Sequence, residues 1–195
     1  LGKLMPWDLI PGFQTWNPDI LKTSVKKNDF SRRRNAPQRR FYDVDQIIRV
    51  GTMGGVSAAT PLRSLVIGER AYSNTNFLNF YTNNGNAAGY VEADRTLVER
   101  AVDAAKALGF TYKCGDILSS DTYYSNTDEV GLCNRLGILG IEMEGAALYL
   151  EARRCGRKAL VICTISNDII SGVEIPAEER QSGFMHMAEV ALELA

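Results

Sequence analysis

Ala159-Leu160-Val161-Ile162-Cys163-Thr164-Ile165 reads as a central β-strand, and the rest of the chain is ordered around it. A run with no polar face, rich in β-branched side chains, suits a strand covered on both faces by other layers. Such a sheet needs helices on both sides, and the flanking sequence supplies them. Upstream, a helix is expected over about 144–155 with Gly156 as its stop, preceded by a strand over 138–142. Leu97, Val98, Ala101, Val102, Ala105 and Leu108 fall at helical spacing between Asp94, a good N-cap, and Gly109, a good terminator. Residues 111–118 read as a strand and 128–136 as a short helix closed by Gly137. Two short apolar runs, 47–50 and 65–68, read as buried strands with glycine turns at Gly51 and Gly68. Downstream, Pro176 with Glu174, Glu178 and Glu179 suits a helix start, and Phe184, Met187, Ala188, Ala191 and Ala195 mark one apolar stripe. From Gln46 onward this alternation, without internal repeat, predicts an α/β layered fold.

The chain has 195 residues, enough for one domain or slightly more, with 45% hydrophobic and 23% charged residues, ordinary values for a globular protein. A formal charge of −1 gives no general argument for binding nucleic acid or acidic lipid. The total conceals an asymmetry: residues 1–45 hold nine basic and five acidic side chains, whereas 46–195 hold 13 and 18. The basic excess gathers at Lys26, Lys27, Arg32, Arg33, Arg34, Arg39 and Arg40, without apolar periodicity, and is expected to be a solvated, poorly ordered arm. Cys114, Cys133, Cys155 and Cys163 form no CxxC pair, which fits neither zinc nor a disulfide framework and suits buried thiols in a reducing compartment. No apolar run approaches the roughly 20 residues that span a bilayer. The expectation is a soluble, cytoplasmic protein in two parts, an atypical basic segment over 1–45 and an α/β domain over 46–195.

In open α/β sheets ligands gather at the carboxyl ends of strands, and four such ends carry suggestive groups. Arg49-Val50-Gly51-Thr52-Met53-Gly54-Gly55 offers a cation, a hydroxyl and glycines that admit close backbone approach, so it suits an oxyanion, although an ordinary strand and turn explains it too. Ser119-Ser120-Asp121-Thr122-Tyr123-Tyr124 offers aromatic faces for a planar base, or else core and edge packing. Glu142 and Glu144 lie at a strand-to-helix junction, where one could accept two sugar hydroxyls or both could simply favour a helix N-terminus. Thr164-Ile165-Ser166-Asn167-Asp168 follows the most apolar strand and reads as a site lining.

Taken together and in this order, these segments resemble the nucleoside phosphorylases, most closely the bacterial-type hexameric purine nucleoside phosphorylases. The resemblance runs from about Gln46 to Ala195. It is carried by Ile-Ile-Arg-Val-Gly-Thr at 47–52, Val-Asp-Ala-Ala-Lys-Ala-Leu-Gly at 102–109, Ile-Glu-Met-Glu at 141–144, Ile-Cys-Thr-Ile-Ser at 162–166 and Ala-Glu-Glu-Arg-Gln at 177–181. It implies a three-layer αβα fold around a mixed, partly barrel-like sheet. It also implies reversible phosphorolysis of purine nucleosides, with inorganic phosphate as co-substrate, no cofactor or metal, and assembly into a homo-oligomer, a hexamer in that family. By the same resemblance, Arg49 and Thr52 bind phosphate, and Glu144, Met143 and Glu142 take the ribose. Tyr123, Met53, Gly54 and Ser166 surround the base, and Arg180 assists the catalytic acid.

Two departures stand out. The family's acid is an aspartate directly after the serine, where this chain has Asn167 followed by Asp168. An amide donates a hydrogen bond but not a proton, so either Asn167 stabilises the leaving base by hydrogen bonding alone, with altered use of 6-aminopurines, or Asp168 serves. The family's Gly-Asp-Pro-x-Arg and Gly-Met-Gly-x-Pro-Ser segments are not found in residues 1–45, where Leu4-Met5-Pro6 with Asp8 is at best a trace, so that part is expected to be truncated, misread in frame or divergent. The family also borrows a histidine and an arginine from a neighbouring subunit near its N-terminal part, but the only histidine here, His186, is expected at the surface of the last helix. Impaired turnover is the expectation from these departures. The alternatives are a degenerate nucleoside-binding relative, a nucleosidase and a uridine phosphorylase relative.

Overall fold

A computed structural model of the chain describes residues 44–74, 89–123, 128–182 and 184–195, and all of these but Val44 belong to the unit Asp45–Ala195. The basic cluster and Tyr124 lie outside the described residues. The strands are β1 (Gln46–Gly55), β2 (Leu65–Ser73), β3 (Tyr90–Glu92), β4 (Tyr112–Ser119), β5 (Gly140–Glu142) and β6 (Lys158–Asp168). The helices are α1 (Arg95–Ala107), α2 (Glu129–Leu136), α3 (Gly145–Arg154), α4 (Ala177–Ser182) and α5 (Met185–Glu193).

β6 bears out the reading from which the fold was built. Its alternate residues Leu160 and Ile162 pack with Leu97, Ala101 and Ala105 of α1 and Val190 of α5. Between them Ala159, Val161, Cys163 and Ile165 pack on the other face with Ala146, Tyr149 and Leu150 of α3. Every residue from Ala159 to Ser166 is buried, as a period of two between two helical layers requires. The sheet is mixed, ordered β3-β2-β4-β5-β1-β6, and a β2–β6 pairing closes five of its strands into a barrel. β1 runs parallel to β6, and β2, β4 and β5 run parallel to one another, so the two groups meet at antiparallel seams between β1 and β5 and between β2 and β6. Tyr149 fixes the second seam from inside. Its hydroxyl donates to the Gly68 carbonyl at 2.7 Å and accepts from the Val161 amide at 2.9 Å, satisfying backbone groups where the strands part.

The expected caps are present. Asp94 accepts from the Leu97 amide at 3.1 Å, Asp128 accepts from the Gly131 amide at 2.8 Å, and Gly137 ends α2 with φ of 70°. Two expectations need correction, and one strand was not foreseen. Gly51 and Gly68 are not turns: β1 and β2 continue through them, because β1 is held against β6 over its whole length and β2 is held against β4 and β6. The strand β3 has no counterpart in the sequence reading, since three residues are too few to show a period. The segment that opens at Pro176 forms two helices, α4 and α5, and the stripe lies along α5: Phe184 is buried at its start, and the residues most buried beyond it are Val190 and Leu194. Among the described residues no helix is long and apolar enough to cross a membrane.

Candidate active site

β1 is the spine of the site. Thr52, Met53 and Gly54 lie within it, and Ser166, Asn167 and Asp168 lie within β6 beside it, rather than in loops beyond strand ends. The parallel register sets Gly51 opposite Cys163, Thr52 opposite Thr164 and Gly54 opposite Asn167. At its far end β1 meets β5 antiparallel, Gly54 opposite Ile141, so the junction from Glu142 to Glu144 runs back along β1. That brings Glu144 to Arg49.

Arg49 folds back over Gly51, where an added Cβ would stand 2.8 Å from Nη1, so a side chain there would displace the guanidinium from this position. Its Nη2 donates to Glu144 Oε2, and its Nη1 donates to Cys163 Sγ at 3.3 Å and lies 3.6 Å from Glu142 Oε2. Burial works against the Arg49 charge, but Cys163, Glu142 and Glu144 outweigh it and raise its pKa above the ordinary arginine value. Burial pushes the Cys163 thiol up to about 12, so it faces Arg49 as a neutral acceptor.

The two glutamates of the junction have separate tasks. Glu142 is turned inward with a side chain 0% exposed. Its carboxylate accepts from the Ser119 hydroxyl, from the Glu144 amide at 3.0 Å and from the Gly145 amide at 2.9 Å, so it caps α3 from three residues before the first residue of the helix. Ser119 in turn accepts from the Ala146 amide at 2.8 Å. Burial pushes the Glu142 carboxyl above the usual range, against the pull of Arg49, Ser119 and the two amides. With its oxygens occupied from within, Glu142 does not share the open face with Glu144, whose carboxylate is partly exposed beside the exposed Met143.

Further along β1, Met53 is buried and Thr52 is exposed. Gly54 lies beneath Ile169 and Asn167: an added Cβ would stand 2.5 Å from Ile169 Cδ1 and 3.2 Å from Asn167 Nδ2. Ser166 is buried and donates to Asn167 Oδ1 at 3.1 Å. The segment after β6 doubles back, with Asn167 bridged to Glu174, the Ile175 amide on the Ser166 carbonyl and the Asp168 amide on the Val173 carbonyl, both at 2.8 Å. Asp168 builds this turn. Its carboxylate accepts from the Ser171 hydroxyl at 2.8 Å and the Ile170 amide at 2.9 Å, and these bonds hold it below the ordinary aspartate value. Arg180, on α4, donates to Glu174 at 3.4 Å, which puts it one residue pair away from Asn167. Tyr123 is 67% exposed, beyond the end of β4. His186 is exposed and stacks on Phe110 with ring centroids 4.0 Å apart.

The structure thus joins Arg49 to Glu144, Ser166 to Met53 and Asn167 to Gly54. Ser119 under Glu142, Cys163 against Arg49, Ile169 over Gly54 and Glu174 between Asn167 and Arg180 are contacts that the sequence reading does not contain. Their places depend on which strands pair and where the chain doubles back, and spacing along the chain carries no trace of either.

A closed mixed barrel between helical layers, with an arginine and a glutamate paired across β1 and the β5–α3 junction, defines a nucleoside phosphorylase-like protein. The family model of the phosphorylase superfamily matches residues 38–195, and the chain belongs to that superfamily. It is 43% identical over 158 residues to the purine nucleoside phosphorylase DeoD-type of Listeria welshimeri serovar 6b, covering 79% of this chain and 65% of the relative. It is 41% identical over 155 residues to the protein of the same name from Yersinia enterocolitica, covering 78% of this chain and 63% of the relative. The matched part is therefore just under two thirds of each relative's length. Among solved structures, a futalosine hydrolase mutant of Helicobacter pylori aligns with a TM-score of 0.63 over 77% of this chain and 68% of that one, at 18% identity, a likeness of fold.

Proposed function

We propose that this chain acts in the reversible phosphorolysis of purine nucleosides to free base and ribose 1-phosphate or its 2-deoxy counterpart, with no cofactor. The observation that carries this reading is the Arg49–Glu144 pair, a cation suited to phosphate bonded to a carboxylate suited to ribose hydroxyls. In the reaction a phosphate oxygen adds at C1′ while the C1′–N9 bonding pair leaves with the purine. Arg49 and Thr52 hold the phosphate, and Glu144 and Met143 hold the sugar. Met53, Gly54, Ser166 and Tyr123 surround the base. Charge developing on the purine is met at N7 by the Asn167 amide. Asp168, held ionised by its own turn, is a poor proton donor, which favours Asn167 at this position. Arg180 acts on it through Glu174. Glu142 acts by anchoring α3 and Arg49 rather than by touching the sugar. We further place the protein in the cytoplasm, as a homo-oligomer and a hexamer by resemblance.

The test is release of hypoxanthine from inosine with and without phosphate. Phosphate-dependent release is expected. Release without phosphate indicates a nucleosidase, and inosine binding without release a degenerate relative.

A further inference from the structure

We infer that Arg63 is a positioning residue for Arg180: it ties the short helix α4 to β6 through Glu179, and departure of the base depends on that tie; this rests on the purine reading above. Arg63 lies between β1 and β2, and among the described residues it is the only one besides glycines with a positive φ, 70°. A residue with a Cβ adopts this conformation at a cost, so its surroundings must hold it there. The Arg63 amide donates to the Ile165 carbonyl at 2.9 Å, the Ile165 amide donates to the Ser64 carbonyl at 3.0 Å, and the Ser64 amide closes the turn on the Pro61 carbonyl at 3.1 Å. Ile165 is buried in β6 directly before Ser166, so the turn is fixed at the base end of the site. A glycine would fill such a position without strain. What arginine adds is its side chain, whose Nε and Nη2 donate to the two Glu179 oxygens at 2.5 and 2.8 Å, a paired fork onto α4.

α4 needs a tie of this kind. It has six residues, fewer than two turns, and so short a helix does not hold itself. Arg180, next to Glu179, is not fixed by its own contacts either. Its Nη2 reaches Glu174 only at 3.4 Å, and its Nε is buried without a hydrogen-bond partner among the described residues. Glu174 is bridged to Asn167, the residue placed at purine N7. The path to the base therefore runs from Arg63 to Glu179, along the α4 backbone to Arg180, and through Glu174 to Asn167. The Arg63 fork ends on α4, not on the groups placed at phosphate and sugar, so its removal should slow departure of the base without weakening the binding of either substrate.

The experiment is steady-state phosphorolysis of inosine by the full chain, with phosphate and inosine varied in turn, together with the melting temperature, for wild type, Arg63→Gly, Glu179→Ala and the double variant. Arg63→Gly keeps the backbone conformation and removes the fork. It should melt close to wild type and keep both KM values, while kcat falls roughly ten- to a hundredfold, the range of a small misplacement in a site. Glu179→Ala, which leaves the Arg63 turn intact, should show the same split. The double variant should lose no more than either single one, as partners in one contact do. A pair that only held the fold together would lower the melting temperature and move kcat along with both KM values, and that pattern overturns the inference. So does an unchanged kcat in Arg63→Gly, or losses that add in the double variant. In each of these cases wild type still turns over inosine and the purine reading stands; absence of phosphorolysis by wild type defeats that reading and the inference with it.

Discussion

At the Arg49 end of β1, the charged groups are paired within the protein. Glu142 is sealed from water and bonded to a hydroxyl and two amides, and Arg49 reaches Glu142, Glu144 and Cys163. At the Gly54 end, the Asn167 NH2 group is left without an acceptor among the described residues, and the turn over it exposes Ile170 and Val173. The difference suits two kinds of ligand. A small anion of fixed charge is bound best by a cation already held in place, whereas a flat base must find donors and acceptors that the protein has not used.

The contrast can be broken by substitution. Its largest expected effect is at Glu142→Ala, which leaves Arg49, Ser119 and two amides facing a void. Unfolding by denaturant should register a loss of about 3–5 kcal/mol, and a loss no greater than that of an ordinary surface change would mean that Glu142 is no anchor. Next comes Tyr149→Phe, which strips a partner from both the Gly68 carbonyl and the Val161 amide; roughly 1–3 kcal/mol should go, read in the same way.

The smallest effect is one of sign. Glu142 has a raised folded pKa, so the folded state binds its proton more tightly than the unfolded chain does. Its contribution to stability, taken against Glu142→Gln, should be most favourable at low pH. It should decline as pH rises from the ordinary glutamate range through the raised value. Asp168 is the reverse: its folded pKa is lowered, so its contribution against Asp168→Asn is present above the ordinary aspartate range and is lost as pH falls through the lowered value. Melting temperatures of the three proteins across acid pH would check both; slopes of the same sign would remove the contrast.

How much of this was legible in the sequence depended on range. β6 could be read because its burial on both faces leaves an unbroken apolar run, and α1 because Asp94, six apolar positions at helical spacing and Gly109 agree. The length of β1 could not be read, since Gly51 and Thr52 look like a turn until β6 lies alongside them. In the site, Arg49 and Glu144 stood out as charges at apolar boundaries, but their bond spans 95 residues and depends on the β1–β5 seam. Glu142 and Glu144 look alike in sequence; only the inward turn of one, toward Ser119, separates the anchor from the ligand candidate. Asp168 looked like a spare acid because the turn that uses its carboxylate is made by the residues after it.

The central claim is that Arg49 serves the phosphate and Glu144 the nucleoside, and it is tested most directly by steady-state kinetics of Arg49→Ala with each substrate varied in turn. Loss of a charged hydrogen-bond donor should raise the phosphate KM by roughly ten- to a hundredfold while the inosine KM moves far less. Equal rises in both, or a rise confined to inosine, would contradict the account.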